Sequence, residues 1–414
     1  MEKMMVWKSI SKAYVFSAAQ PGALTPIGVV QKVEGGFRFA YGKSWLASPT
    51  GFAIDPLNLP LTDEVKNSRR LWGALEDATP DNWGKKVMLA THSQKPTNEI
   101  EWLLATRGAG VGCLLFSGAL SAVPTLKQPA EFGELEKLLA MADEIDRGAA
   151  ADQYSEELVR MLFFASSMGG ARPKVTVKYQ GGEWIAKLGR KDDVFDQPRA
   201  EFASLQMATS AGLLVPPHQL LQVGQKTVLL IKRFDRHADS SRSHYLSAKA
   251  LINADRVREG DPNSPMSYLR IAEIIQKISA DSEADLLTLY RQMVFNVLIG
   301  NTDDHSQNLG FVRERGNEYR LTPSFDLIPH PGQVAEQALV IGEQGRASTI
   351  ENALSRSARF GLSRAQAGAV IRDVAAVTGR AADYFRDAGM APLDVNMLAL
   401  TCGRHDAAVQ AMAN

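Results

Sequence analysis

An α+β fold is predicted by how the chain divides. Short strands punctuated by glycine occupy the first half, and long helical periods occupy the second. Two stretches carry the first part of that prediction. Residues 13–40 alternate and turn, through Tyr14-Val15-Phe16, Gly22, Ile27-Gly28-Val29-Val30, Gly35-Gly36 and Phe37-Arg38-Phe39, the pattern of a small antiparallel sheet. Val175-Thr176-Val177-Lys178-Tyr179 and Trp184-Ile185-Ala186-Lys187-Leu188 flank Gln180-Gly181-Gly182 as a hairpin. The second half is carried by Leu286, Tyr290, Met293 and Val297, which recur at helical spacing, and by the Ala- and Arg-rich periodicity from about residue 350 onward.

The totals bound the classes of function. The 414 residues suggest two or three domains. Lys plus Arg number 46 and Asp plus Glu number 46, so the net charge is zero. A chain whose main task is gripping nucleic acid usually carries a basic excess. Two cysteines, Cys113 and Cys402, lie far apart, which argues against a thiolate metal site or a disulfide framework and fits a reducing cytosol. The Met1–Lys8 start lacks the apolar run of a signal peptide, and no stretch nears the ~20 apolar residues of a membrane span. A cytoplasmic protein without membrane contact is expected.

In chain order, residues 56–62 read as a connection. Leu71–Leu75 and Thr79–Gly84 read as two helical pieces with a capped turn between them, and Glu99–Thr106 as a helix. Gly108, Gly110 and Gly112 follow that helix. A phosphate-binding fingerprint needs a preceding strand, so these glycines are read as a helix stop and turn. His92 reads as a surface residue. Residues 131–155 are helical and charged. Ser166 to Lys174 is a Gly-rich loop opening onto the hairpin; glycine lets backbone N–H groups approach phosphates. Period-two alternation puts Lys187 on the face opposite Ala186 and Leu188. Pro198–Met207 is a helix with Glu201 in its first turn, either paired with Lys187 or on the surface. Thr227–Ile231 is a buried strand, and the Ser-rich stretch His237–His244 a mobile loop with solvated histidines. Ser282-Glu283-Ala284-Asp285 resembles a capping box with Asp at its last place.

The chemistry concentrates in Gly300-Asn301-Thr302-Asp303-Asp304-His305-Ser306-Gln307-Asn308-Leu309-Gly310, with Asp326 eighteen residues past Asn308. Such polar density is costly to bury and points to function. Phosphoryl transfer from ATP needs an Asp to accept the hydroxyl proton, an Asn five residues on to hold magnesium, and a later Asp to join metal to phosphates. Asp303, Asn308 and Asp326 supply that order. A metal-dependent phosphohydrolase is the rival for Asp303-Asp304-His305, but such sites want more histidine ligands than seven scattered residues offer.

These motifs resemble the HipA family of bacterial Ser/Thr kinases, toxins of toxin–antitoxin pairs. The family's Ser–x–x–Gly–x–x–x–Lys loop corresponds to Ser167, Gly170 and Lys174, and its strand Lys to Lys187. The Gly28-Val29-Val30 strand, the Trp45–Pro49 run and the Pro80–Gly84 turn resemble its N-terminal subdomain. The resemblance implies a bilobal kinase fold, with residues 1–130 as scaffold and partner surface, 131–235 as the small lobe, and 236–414 as an all-helical lobe.

It also implies ATP and Mg2+ as cofactors. Asp303 would be the catalytic base, with Asn308 and Asp326 as metal ligands. Gly169, Gly170, Ala171, Arg172, Pro173, Lys174, Lys187, Lys232, Arg233, Phe234, His305, Asn308 and Asp326 would contact nucleotide. Many family members carry Glu where Lys232 stands, so adenine contact there would rest on backbone groups. Ser167, with Ser166 as the alternative acceptor, would be autophosphorylated. A phosphate there adds negative charge where nucleotide phosphates sit. Asp304 falls where the family varies and is expected to be solvated. The partners implied are a HipB-like helix-turn-helix antitoxin, DNA only through it, and a protein substrate such as glutamyl-tRNA synthetase. A reading of another class is a weakly active binding module that acts as co-repressor with the antitoxin.

Overall fold

The computed structural model describes residues 10–80, 82–91, 95–126, 128–148, 154–165, 172–252, 266–332 and 335–412. The chain forms two compact units, Met1–Arg190 with Gln222–Leu246, and Lys191–Leu221 with Ser247–Asn414. His92 and Ser166, Ser167, Gly169, Gly170 and Ala171 lie outside the described residues.

The first unit opens with the predicted antiparallel sheet. Its strands are β1 (Lys12–Gln20), β2 (Ala23–Val33), β3 (Gly36–Tyr41), β4 (Lys66–Ser68) and β5 (Leu114–Ser117), in the order β4-β3-β2-β1-β5. Alternation is clean in β3, where Phe37, Phe39 and Tyr41 are buried and Arg38 is exposed. It fails in β1, where the register shifts between Val15 and Phe16 and four successive residues from Val15 to Ala18 are buried. Gly28 has no room for a side chain, because a Cβ there would lie 2.3 Å from the carbonyl oxygen of Ala40.

The second sheet takes β6 (Ala130–Glu131), β7 (Lys174–Tyr179), β8 (Gly182–Leu188), β9 (His218–Val223) and β10 (Lys226–Lys232), in the order β6-β7-β8-β10-β9. The β7–β8 hairpin turns at Gln180 and Gly181, both with positive φ (+48° and +73°), the backbone that matches strand twist in a two-residue hairpin. Val175, Val177, Ala186, Leu188, Val228 and Leu230 form one buried face, and Leu229 and Ile231 are buried on the other. Trp83, in the helix Asn82–Thr91, is fully buried and donates from Nε1 to the carbonyl of Lys174 at 2.8 Å, tying that helix to β7.

The helix Glu99–Ala105 is capped by Asn98, whose side chain accepts from the Glu101 N–H. It stops as expected at Gly108 (φ +78°) and Gly112 (φ +77°). The turn is then clamped from far along the chain. Asp235 accepts from Arg233 Nε at 3.0 Å and Nη2 at 2.9 Å, from Arg236 Nη1 at 2.6 Å and from the Gly112 N–H at 2.8 Å. Arg236 Nη2 donates to the Gly110 carbonyl at 2.7 Å, and Arg242 Nη1 to that of Gly108 at 2.6 Å. These guanidinium groups satisfy carbonyls that a glycine turn leaves without partners. Burial would raise the Asp235 carboxyl, but Arg233 and Arg236 hold it well below the usual carboxylate range. Burial and the neighbouring Arg233 lower Arg236 to about 9.

The same stretch corrects the expectation of a mobile loop at His237–His244. His237 is exposed, but His244 is 1% exposed, its Nε2 2.8 Å from the Ile54 carbonyl and its ring 4.9 Å from that of Phe52. Ser241 and Arg242 are buried with it. A polar composition does not mean solvation when each polar group finds a partner.

The second unit is built around the helix Ser282–Ile299, in which Leu286, Tyr290, Met293 and Val297 are buried as their spacing predicted. Its cap sits one residue earlier than expected: Asp281 accepts from the Ala284 N–H at 3.2 Å. Asp285, freed from the capping role, is buried and accepts from Ser279 Oγ (2.6 Å), Arg320 Nε (3.1 Å) and the Leu321 N–H (3.2 Å). The helices Gln197–Ser210, Tyr268–Ile278, Arg364–Thr378, Ala381–Asp387 and Pro392–Cys402 belong to the same unit. The second half is not wholly helical. Beside β11 (Tyr245–Ser247), an antiparallel hairpin of β12 (Gly310–Arg315) and β13 (Glu318–Leu321) follows the polar loop.

Candidate active site

Helix geometry sets where the polar loop begins. The helix Ser282–Ile299 ends at Gly300 in the left-handed conformation (φ +69°), and a Cβ there would lie 2.1 Å from Arg404 Nη2. The positive φ favours glycine, and any side chain there would also have to displace the end of Arg404. The chain then reverses through Asn301–His305, makes a single 3-10 turn at Ser306–Asn308 and enters β12.

Within the loop, Asn308 Nδ2 donates to the backbone carbonyl of Asp303 at 2.9 Å. That bond closes the five-residue step into a ring and leaves Asn308 Oδ1 as the atom a cation would meet. The Asp303 side chain is 67% exposed, with His305 Nε2 3.9 Å from its Oδ1. His305 Nδ1 is buried and, among the described residues, meets no hydrogen-bond partner. Asp326 is joined to the loop through Asn301, whose Nδ2 donates to the Asp326 carbonyl at 3.3 Å and to Asn296 Oδ1 at 3.0 Å. Asp326 has φ +56°, uncommon for a residue with a side chain and a form of strain that concentrates at functional positions. Nearby backbone is pinned as well: Ser324 N–H donates to the Leu214 carbonyl at 2.8 Å, and His330 N–H to that of Gly300 at 3.0 Å.

Asp304 departs most from expectation. It is 2% exposed. Its Oδ2 accepts from the Tyr268 hydroxyl at 2.7 Å and its Oδ1 from the Ala338 N–H at 2.8 Å. Asn296 Nδ2 donates in turn to the Tyr268 oxygen at 3.0 Å. With its amide oriented so that nitrogen and oxygen each meet a complementary group, Gln337 donates to Asp304 Oδ1 at 3.2 Å and to the Asn301 carbonyl at 2.8 Å. Burial pushes the Asp304 carboxyl up to about 7, against the donors that favour its charged form. Composition alone gave no sign of this network. The available signal was Tyr268, a polar-tipped aromatic on the buried face of an amphipathic helix.

Asn308 and Asp326 carry hard oxygen donors of the type that a magnesium ion keeping several waters takes. Among the described residues no cluster of three or more His, Cys, Asp or Glu is placed to hold a metal ion.

The residues expected at the nucleotide fall as follows. Lys187 projects from β8 on the face opposite buried Ala186 and Leu188. Lys174 is its direct cross-strand neighbour on β7 and is 5% exposed. Lys232 is exposed at the end of β10, and Phe234 is half-buried, its ring 6.2 Å from that of Tyr245. Arg233 is turned inward, into the Asp235 pair and within 3.6 Å of Glu183. Arg172 and Pro173 lead into β7. Glu201 is 2% exposed, which rules out its surface reading.

Together these features define an α+β protein whose second unit carries one preorganised polar loop and a tethered downstream Asp. The chain belongs to the HipA family: residues 166–381 match the HipA-like C-terminal domain and residues 23–117 the HipA N-terminal domain. It is similar to Putative kinase Y4mE of Sinorhizobium fredii, 23% identical over 335 residues, 76% of this chain and 78% of that protein. A kinase-named protein of Haemophilus influenzae is 25% identical over 164 residues, covering 37% of this chain and 47% of its own length. The fold is that of HipA from Shewanella oneidensis MR-1, solved with HipB and its operator DNA, at a TM-score of 0.70 and 18% identity, covering 96% of this chain and 99% of that one. Among the described residues no helix is long and apolar enough to cross a membrane.

Proposed function

We propose that this protein is an ATP-dependent Ser/Thr protein kinase of the HipA toxin type. The observation that carries the reading is the tethering of its three key residues. Asn308 bonds to the Asp303 backbone, and Asn301 bonds to that of Asp326. Residues far apart in sequence are thereby held in fixed relation before any ligand arrives, which is what catalysis by positioning requires.

In this reading Asp303, exposed and flanked by His305, accepts the proton of a substrate hydroxyl. Asn308 through Oδ1 and Asp326 through its carboxylate hold Mg2+, which supplies charge neutralisation of the ATP phosphates. Lys187 and Lys174 supply positive charge from one face of the β7–β8 hairpin. The backbone of Lys232–Phe234 meets the adenine, since the Arg233 side chain is committed to Asp235. Ser167 is the autophosphorylation site. The HipA–HipB–DNA complex of the Shewanella relative supports a HipB-like antitoxin as partner, with DNA reached through it. An aminoacyl-tRNA synthetase such as glutamyl-tRNA synthetase is the substrate class, and the cytoplasm the compartment.

The test is phosphate transfer from labelled ATP with magnesium, with phosphosite mapping, on the wild type and Asp303→Ala. Label on Ser167 or Ser166 in the wild type and none in the variant is the expected result. No label in either, with no ATP-dependent rise in melting temperature, would leave a binding module that acts with an antitoxin.

A further inference from the structure

Asp304 joins its own loop to two other parts of the second unit. It belongs to the polar loop, accepts from Tyr268 at the start of the helix Tyr268–Ile278, and accepts from Gln337 and Ala338 in the segment that follows Asp326. That segment is itself fastened. Gln337 N–H donates to the Arg346 carbonyl, Ser348 N–H to that of Ala335, Tyr268 N–H to that of Val340, and Val340 N–H to that of Met266. Gln337 also bonds to the Asn301 carbonyl, Asn301 to Asn296, and Asn296 to Tyr268. The hydrogen bonds therefore close on themselves around the residue next to Asp303.

We propose that Asp304 is the positioning residue of this active site, a buried carboxylate that locks the Asp303 backbone to the segment beyond Asp326 and is needed in its charged form. The inference rests on the kinase reading above. Direction of donation decides which form works. Among the described residues, the groups that face Asp304 are the Tyr268 hydroxyl, the Gln337 amide and the N–H groups of Ala338, Leu339 and Asp304 itself; all are donors and none of them is a cation. Protonation would turn one carboxylate oxygen into a donor. The Tyr268 oxygen already accepts from Asn296, and the hydroxyl proton of Tyr268 would lose its acceptor. The ring of bonds then opens on one side, and the backbone of Asp303 is freed from it. Burial works the other way and favours the neutral acid, which places the balance close to neutral pH.

Two readouts test this, one independent of catalysis. The first is the melting temperature of the wild type and Asp304→Asn from about pH 5 to about pH 8.5. The folded Asp304 holds its proton more tightly than the unfolded chain. Its contribution is therefore largest at low pH and falls as pH rises through about 7. The difference between the two proteins should slope in that sense. The second is label transfer over the same range, with ATP affinity measured alongside. The wild-type rate should rise with pH through a midpoint near 7. Tyr268→Phe removes a donor to the carboxylate and opens the same side of the ring, so its midpoint should move to higher pH and its plateau should fall. Asp304→Asn offers an NH2 group where Tyr268 needs an acceptor, so it should be slower by roughly tenfold or more at high pH, with ATP affinity kept. Parallel melting curves, or an Asp304→Asn variant with the wild-type rate and profile, overturn the proposal. A wild type that transfers no phosphate at any pH, with the melting difference intact, overturns the kinase reading.

Discussion

Asn301 Nδ2 lies 3.3 Å from the backbone carbonyl of Asp326 and 3.0 Å from Asn296 Oδ1, so one amide nitrogen spans the end of a helix, the polar loop and a residue 25 positions later. Asn301 is 2% exposed. Replacing it by Ala would leave two buried acceptors without their donor, at about 1–3 kcal/mol. Asn301→Ala should lower the denaturation midpoint by that amount and reduce phosphate transfer beyond what the stability loss explains. Unchanged transfer at a temperature where the variant is fully folded would show that the Asp326 tether plays no part in catalysis.

The roles of Asp303 and Asp326 separate in binding experiments. Asp303→Ala should lose transfer by on the order of a hundredfold or more while still binding ATP with magnesium. Asp326→Ala should lose the magnesium dependence of ATP binding. Calorimetric titration of both variants with ATP, with and without Mg2+, distinguishes them. Equal binding losses would mean that the base and the metal ligand have been assigned wrongly.

Lys187 and Lys174 sit opposite each other on one hairpin face. Lys187→Met should remove a phosphate contact, so the rise in melting temperature on adding ATP should shrink. A variant that is destabilised without ligand would assign Lys187 a structural role.

Asp235 binds Arg233, Arg236 and the Gly112 N–H in the first unit. Asp235→Ala would strand two buried guanidinium groups, at about 3–5 kcal/mol. The pH dependence follows from the sign of the shift. Asp235 is held below its unfolded value, so its contribution is present above about pH 4 and is lost as pH falls below that. Chemical denaturation of the wild type at neutral and acid pH, beside Asp235→Ala, should show the gap between them narrowing in acid.

Gly300 carries both a positive φ and a close approach of the Arg404 guanidinium, which a Cβ would have to displace. Gly300→Ala should cost about 1–3 kcal/mol and displace the loop that starts at Asn301. Pairing it with Arg404→Ala removes the contact and leaves the backbone strain. Recovery of part of the loss in the double variant would apportion the two.

Much of this protein was determined by the sequence taken alone. The α+β division, the β7–β8 hairpin, the stop after Ala105 and the core face of Ser282–Ile299 all follow from local backbone preference and period, which act within a few residues. The order Asp303, Asn308, Asp326 stands out in the sequence because it matches the spacing that phosphoryl transfer would ask for. What only the tertiary structure decided is the fate of polar side chains. Asp304, Glu201, His244 and Arg242 look solvent-ready in sequence, yet each is buried. Asp285 looked like part of a cap and instead anchors the Ser279–Leu321 contacts. A polar group can be buried wherever distant residues supply its partners, and Tyr268 with Ala338, or Ile54 with Cys113, become neighbours only once the chain has folded.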